Sequence, residues 1–174
     1  MGHDTGSTFS WSFDVSRAKN VVEQASAAGI VIATAESCTG GMISAAITDI
    51  AGSSRVLDRG FVTYSNAAKM DMLGVSADTL DAYGAVSEQV AAEMAAGALK
   101  HSNATLSVSV TGIAGPGGSD FKPEGCVCFG IATQSSVETQ QVDFGALGRA
   151  GVRGATVAHA LDLLLQKLPN WPIA

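Results

Sequence analysis

Between two stretches of helical periodicity the chain carries a short apolar run, Ile30-Val31-Ile32-Ala33-Thr34-Ala35. It opens directly into Glu36-Ser37-Cys38-Thr39-Gly40-Gly41, and a further helical pattern follows (Met42, Ile43, Ala46, Ile47, Ile50). A run this short that does not alternate with polar residues reads as a strand buried on both faces. Such a strand needs helices above and below it, so the run commits the chain to an α/β architecture. The helix before it repeats Val15, Ala18, Val22 and Ala25 at helical spacing and stops at Gly29.

The rest of the chain continues the alternation. Phe61-Val62-Thr63-Tyr64 reads as a second strand, followed by short helices over 66–73 and 77–82. Ser87 caps a longer helix running to Lys100, with Val90, Met94 and Ala98 on one stripe. Ala104–Val110 reads as a third strand and runs into the glycine-rich loop Thr111–Gly118. Cys126–Thr133 and Val137–Phe144 form an expected hairpin around Gln134-Ser135-Ser136. The last helix is expected from Gly148 to Leu168, stopped by Pro169 and Pro172. The expected fold class is α/β, a three-layer α/β/α sandwich with a mixed β-sheet, in one domain over residues 15–174. Residues 1–14 form an expected flexible N-terminal arm whose Trp11 and Phe13 pack back onto the domain. In such sheets ligands sit beyond the carboxyl ends of the strands, where both glycine loops fall.

Composition narrows the function classes. Of 174 residues, 47% are apolar, enough for one sizeable core and too many for a disordered chain. The formal charge is −6, leaving no basic excess to grip many phosphates, so no nucleic-acid partner is expected. One phosphorylated small ligand needs only a few donors and stays open. No membrane span and no signal peptide are visible. An odd set of cysteines (Cys38, Cys126, Cys128) fits a reducing cytoplasm better than a disulfide framework. His3, His101 and His159 are scattered, and no metal site is expected.

Four groups of residues carry possible chemistry. The Glu36–Gly41 turn sets Ser37, Cys38 and Thr39 ahead of a helix N-terminus, whose amides and dipole favour an anion or a developing oxyanion; a plain N-cap by Ser37 or Thr39 is the alternative. It lacks the Walker A spacing and the Gly-x-Ser-x-Gly of a nucleophile elbow. In Tyr64–Lys69, Asn66 as N-cap sets Lys69 in the first turn, where the dipole lowers an amine's pKa toward that of a general base. A solvated surface lysine is the alternative. Tyr64 offers a ring for a flat ligand. In the Thr111–Gly118 loop, Thr111 offers a donor, and Gly112 and Gly115 allow close backbone approach or positive φ. Arg149 and Arg153, four apart at the start of the last helix, call for an anion, either a bound phosphate or Asp143. Arg55 and Arg59 are further candidates for that cluster. Together these groups suit hydrolysis of an amide on a phosphorylated ligand.

At this point the sequence resembles the C-terminal domain of the CinA family, the competence/damage-inducible proteins. The resemblance is carried by Thr34-Ala35-Glu36-Ser37-Cys38-Thr39-Gly40-Gly41, by Gly60-Phe61-Val62-Thr63-Tyr64-Ser65-Asn66 with Lys69, and by Leu73-Gly74-Val75. Gly84-Ala85-Val86-Ser87-Glu88, Gly112-Ile113-Ala114-Gly115-Pro116 and Lys122-Pro123-x-Gly125 also match, so it covers about 15–168. The resemblance implies a nicotinamide-nucleotide amidase: nicotinamide mononucleotide and water become nicotinate mononucleotide and ammonia, in pyridine-nucleotide recycling. It implies Ser37 as nucleophile, Lys69 as its base, and Tyr64 as a positioning or proton-assisting group. Substrate contacts are implied for Thr39, Gly40, Ser54, Thr111, Gly112, Ala114 and Gly115, and for Arg149 or Arg153 at the phosphate. The family often has Gly-Asp-Arg where this chain has Leu147-Gly148-Arg149, which leaves the choice between the two arginines open. No cofactor is implied. A stand-alone form, without the extra N-terminal domain of some members, and a homo-oligomer are expected. The alternative is a non-catalytic pyridine-nucleotide sensor or partner module.

Overall fold

The computed structural model describes residues 15–168. In chain order the elements are α1 (Val15–Ala28), β1 (Ile32–Glu36), α2 (Met42–Thr48), a 3-10 turn (Ser53–Arg55), β2 (Leu57–Val62), α3 (Asn66–Leu73), α4 (Ala77–Tyr83) and α5 (Glu88–Lys100). There follow β3 (Leu106–Gly112), β4 (Cys126–Thr133), β5 (Val137–Asp143) and α6 (Gly148–Lys167). The sheet order is β2-β1-β3-β4-β5. β1 pairs in parallel with β2 and β3, and β3-β4-β5 run antiparallel, so the sheet is mixed. The expected arm over residues 1–14, with Trp11 and Phe13, and the stop at Pro169 and Pro172 lie outside the described residues.

Two separate cores flank the sheet. On one face α1, α2 and α6 cover Ile32, Leu106, Val108, Val110, Val127 and Phe129. On the other, Leu73, Leu80, Val90 and Met94 of α3, α4 and α5 pack on Ala33 and Ala35. The small alanines on that side of β1 let the second helical layer lie close. The result is the three-layer α/β/α sandwich expected from the alternation of elements.

Strand limits differ from the apolar runs for identifiable reasons. Ile30 is spent on ending α1: its amide donates to Ala25 O at 2.9 Å and that of Gly29 to Ser26 O at 3.3 Å, as in a helix C-terminal cap. The ladder therefore starts at Ile32 and runs on through Glu36. β2 begins at Leu57, well before Phe61, because it is an edge strand. Its Asp58 and Arg59 meet solvent, pair with each other at 2.7 Å, and leave no apolar signature.

Candidate active site

Period-two alternation along β1 sorts the chemistry. Ile32 belongs to the α1/α2/α6 core and Ala33 and Ala35 to the other. Glu36 therefore points toward α2, and Ser37, one residue on, toward α3. The backbone there is pinned from both neighbours: Ser37 N–H donates to Val110 O at 3.0 Å, and Thr63 N–H donates to Glu36 O at 2.8 Å.

The α3 helix brings the amine. Its N-cap is Ser65, whose hydroxyl accepts from Ala68 N at 3.1 Å, rather than the expected Asn66. Lys69 is thus one position further into the helix, and its side chain passes inward to 1% exposure. Nζ donates to Ser37 Oγ and to Thr63 O, each at 3.0 Å. No carboxylate among the described residues pairs with it. Burial pushes the amine below its ordinary 10.5, with the neighbouring Cys38 acting weakly the other way. The cause is loss of water rather than the helix dipole invoked from sequence. Cys38, the adjacent thiol, is itself pushed up to about 11 by burial, with the Glu36 charge adding to the rise.

The turn is organised by a residue that periodicity does not flag. Glu36 is fully buried, and six donor groups lie within hydrogen-bond distance of its carboxylate; the Thr34 and Ser44 hydroxyls also bond each other at 2.5 Å, so one of the two donates there and five donate to the carboxylate at once. Oε2 takes Thr39 Oγ1 at 2.6 Å, Ile43 N at 2.9 Å and Gly41 N at 3.2 Å. Oε1 takes Ser44 N at 2.9 Å, Ser44 Oγ at 3.0 Å and Thr34 Oγ1 at 3.2 Å. The expectation that the α2 amides stand free for an anion is therefore corrected: Glu36 occupies them, and neither Ser37 nor Thr39 is the N-cap, which is Gly41. Met42 N is also used, on Thr39 O at 3.3 Å. The amides of Cys38 and Thr39 meet no backbone carbonyl among the described residues, and that of Cys38 lies against its own thiol. Gly60 on β2 makes room for this cluster, since a Cβ there would stand 2.2 Å from Ser44 Oγ and 3.0 Å from Thr34 Oγ1.

The arginines close the rim. Arg149 donates to Tyr64 OH at 2.9 Å and to Gly115 O at 3.1 Å, linking the β2–α3, β3–β4 and α6 segments. Tyr64 is 60% exposed. One helical turn on, Arg153 donates to Thr39 O at 3.0 Å, and its guanidinium lies beside Gly40. Among the described residues its buried Nε has no partner, and neither has the buried hydroxyl of Thr63. The acid at the start of α6 is not Asp143, which caps Gly145 N at 2.9 Å. It is Glu124, from the β3–β4 loop, accepting from Gly148 N at 2.8 Å and Gly117 N at 2.6 Å.

Ser37, Thr39, Gly40, Tyr64, Lys69, Gly115, Arg149 and Arg153 thus come together through chain neighbours and hydrogen bonds. Of the other expected contacts, Thr111, next to Ser37 across the β1–β3 pairing, and Gly112 and Ala114 stand beside the site but are engaged in packing or hydrogen bonds of their own, and Ser54 stands apart. Thr111 Oγ1 donates to Ala85 O at 2.8 Å, the last rung of a ladder in which Ser107 and Ser109 bind Ala95 O and Ala91 O at 2.7 and 2.6 Å. Gly112 lies against β4, where a Cβ would meet Val127 at 2.7 Å, and Ala114 is packed in the core at 5% exposure. Ser54 sits ahead of β2, level with the start of β1, because Ile32 N donates to Val56 O. A parallel strand length, about 16 Å, separates it from Ser37. Arg55 shares that distant end, and Arg59 is spent on Asp58 and His101 O. Glu36, Thr63 and Glu124 are the site residues that the sequence reading missed. The available signal was a charge closing a buried run, which points to Glu36, while the alternation Ser107, Ser109, Thr111 was the sign that the Thr111 hydroxyl is spent on the scaffold. Among the described residues no group of three or more His, Cys, Asp or Glu is placed to hold a metal ion, and no helix is long and apolar enough to cross a membrane.

Fold and site together define a three-layer α/β/α domain with a buried serine–lysine pair at the carboxyl end of a central parallel strand. The chain belongs to the CinA family: the model of the CinA C-terminal domain matches residues 14–168. A nicotinamide-nucleotide amidohydrolase PncC from Enterobacter agglomerans is 64% identical over 143 residues, 81% of this chain and 87% of that protein. A putative competence-damage inducible protein from Caldicellulosiruptor saccharolyticus is 47% identical over 87% of this chain, which spans only 37% of that longer relative. The crystal structure of the competence/damage inducible protein CihA from Agrobacterium tumefaciens is 49% identical, with a TM-score of 0.85 over 87% of this chain and 93% of that one.

Proposed function

We propose that this protein hydrolyses the carboxamide of nicotinamide mononucleotide, giving nicotinate mononucleotide and ammonia, with Ser37 as nucleophile and Lys69 as general base. The relative from Enterobacter agglomerans, named a nicotinamide-nucleotide amidohydrolase, supports the reaction class. The observation that carries the residue assignment is the 3.0 Å contact between Lys69 Nζ and Ser37 Oγ, made by a buried amine without a carboxylate partner. An amine so desolvated gives up its charge readily and accepts a proton.

In the forward step the neutral amine of Lys69 takes the Ser37 proton, and Oγ bonds to the carboxamide carbon. The oxyanion is met by the amides of Cys38 and Thr39, which donate to no backbone carbonyl among the described residues. Lys69 returns the proton to the leaving nitrogen and ammonia departs. A water, deprotonated by Lys69, then cleaves the nicotinoyl ester and frees Ser37. The thiol of Cys38 stays protonated at neutral pH and is no rival, since burial holds it at about 11. Arg149 serves the phosphate: it is exposed, and its present partners, a phenol and one carbonyl, are readily exchanged for an anion. Tyr64 orients it and flanks the ring. Arg153 holds the Thr39 carbonyl and belongs to the frame.

A coupled ammonia assay comparing the mononucleotide, the riboside and free nicotinamide tests the reading. Turnover of the mononucleotide well above the other two supports it. Ligand-induced thermal stabilisation with no ammonia from any of the three would instead identify a sensor.

A further inference from the structure

We propose that Glu36 is a positioning residue for Ser37, fixing the Ser37–Gly40 turn through Thr39 so that the Cys38 and Thr39 amides are kept clear of carbonyl and carboxylate acceptors among the described residues. This rests on the serine–lysine reading above. It adds a residue to that machinery which makes no contact with the pair's reacting atoms.

The carboxylate itself has no capacity left for proton transfer. Oε2 takes three donors, Oε1 takes Ser44 N and one of the two hydroxyls of Thr34 and Ser44, which also bond each other, and the side chain is fully buried, so its acceptor sites are filled. What it does instead is consume competitors. The amides of Gly41, Ile43 and Ser44 would otherwise be open at the start of α2, drawing an anion to a point beyond the nucleophile. With these occupied, the amides of the turn that meet no carbonyl or carboxylate among the described residues are those of Cys38 and Thr39, directly after Ser37.

Thr39 is held from two sides. Its hydroxyl donates to Glu36 Oε2 at 2.6 Å, and its carbonyl accepts from Arg153 at 3.0 Å. Those two contacts fix the Thr39 side chain and the Thr39–Gly40 peptide, while Gly40 N closes the turn on Ser37 O at 3.1 Å. Preorganisation of this kind matters because a donor displaced by about 1 Å costs on the order of 10²-fold in rate.

The test uses an alkyl fluorophosphonate on the full chain. Ser37 Oγ bonds to phosphorus, fluoride leaves, Lys69 takes the proton, and the phosphoryl oxygen occupies the place of the oxyanion. Labelling is followed by intact mass and peptide mapping, so the readout does not depend on the natural substrate. Glu36→Gln turns an N–H₂ toward donors on one side, and Thr39→Val removes one donor alone. Both are expected to slow labelling of Ser37 by about 10²-fold, and to lower kcat for ammonia release with KM within about threefold. Thr39→Ser restores most of the rate. If Glu36→Gln does not fold, Thr39→Val carries the test. Wild-type labelling rates in a folded Thr39→Val protein would make Glu36 a purely structural residue and overturn the proposal, leaving the serine–lysine pair intact. A wild-type protein that reacts anywhere but Ser37 would bring down both.

Discussion

Replacing Lys69 by Met removes one buried amine while keeping the length of the side chain, and its consequences can be worked from the structure. The amine is 1% exposed, has two uncharged partners, and is held below 10.5 by burial. Between that lowered value and 10.5, the unfolded chain carries a proton on this group that the folded chain does not. Stability therefore rises with pH across the window, by about 1.4 kcal/mol per pH unit from this side chain. Below the window both states are charged and the full penalty is present; above 10.5 it is gone. Lys69→Met has no such slope. With a urea m-value of about 1–3 kcal/mol/M, one pH unit within the window moves the wild-type midpoint by about 0.5–1.4 M relative to the variant. Urea titrations of both proteins between about pH 7 and pH 11 read this directly. The variant also loses about 10²–10⁴-fold in kcat/KM, and the wild-type rate climbs with pH until Lys69 is neutral, levelling off below pH 10.5. Midpoint curves that stay parallel across the range, or a wild type that weakens relative to the variant as pH rises, would refute the claim of a neutralised buried amine.

Three more expectations are independent of that slope. Ser37→Ala should end ammonia release, by about 10⁴-fold or more, while costing only about 1 kcal/mol in thermal unfolding, because the hydroxyl's one side-chain partner is Lys69. Native protein treated with iodoacetamide near pH 8 should retain activity with Cys38 unmodified by peptide mapping, because a thiol at about 11 is roughly 0.1% thiolate there. Gly60→Ala should lower stability by about 1–3 kcal/mol in chemical denaturation, because the added methyl falls 2.2 Å from Ser44 Oγ and pushes into the Glu36 cluster.

Local periodicity recovered the elements that pack by it. Helices α1 and α5 and strand β4 fall within a residue or so of their expected limits, since their apolar residues are what the cores bury. The edge strand β2 was cut short, because Asp58 and Arg59 meet water and produce no apolar run. The meeting of Ser37 and Lys69 was legible, since a strand, a glycine turn and a lysine on the next helix point to one end of the sheet. What stayed hidden was the use of long-range partners. Glu36 caps a helix from five residues ahead of its N-cap, and Glu124 reaches the start of α6 from another loop. Thr111 looked free in sequence because its acceptor, Ala85 O, lies 26 residues away. Ser54 was misplaced for a topological reason: a residue ahead of a parallel strand starts at the wrong end of the sheet.

The backbone ties of the serine have a kinetic corollary. Its amide is docked on Val110 and the preceding carbonyl on Thr63, so both flanking strands must be seated before the hydroxyl meets the amine. A chain returning from denaturant can regain helical ellipticity early, yet the serine cannot react until the centre of the sheet has zipped on both sides. Recovery of chemical reactivity at this one side chain is therefore a stopwatch for sheet completion, readable without any spectroscopic label.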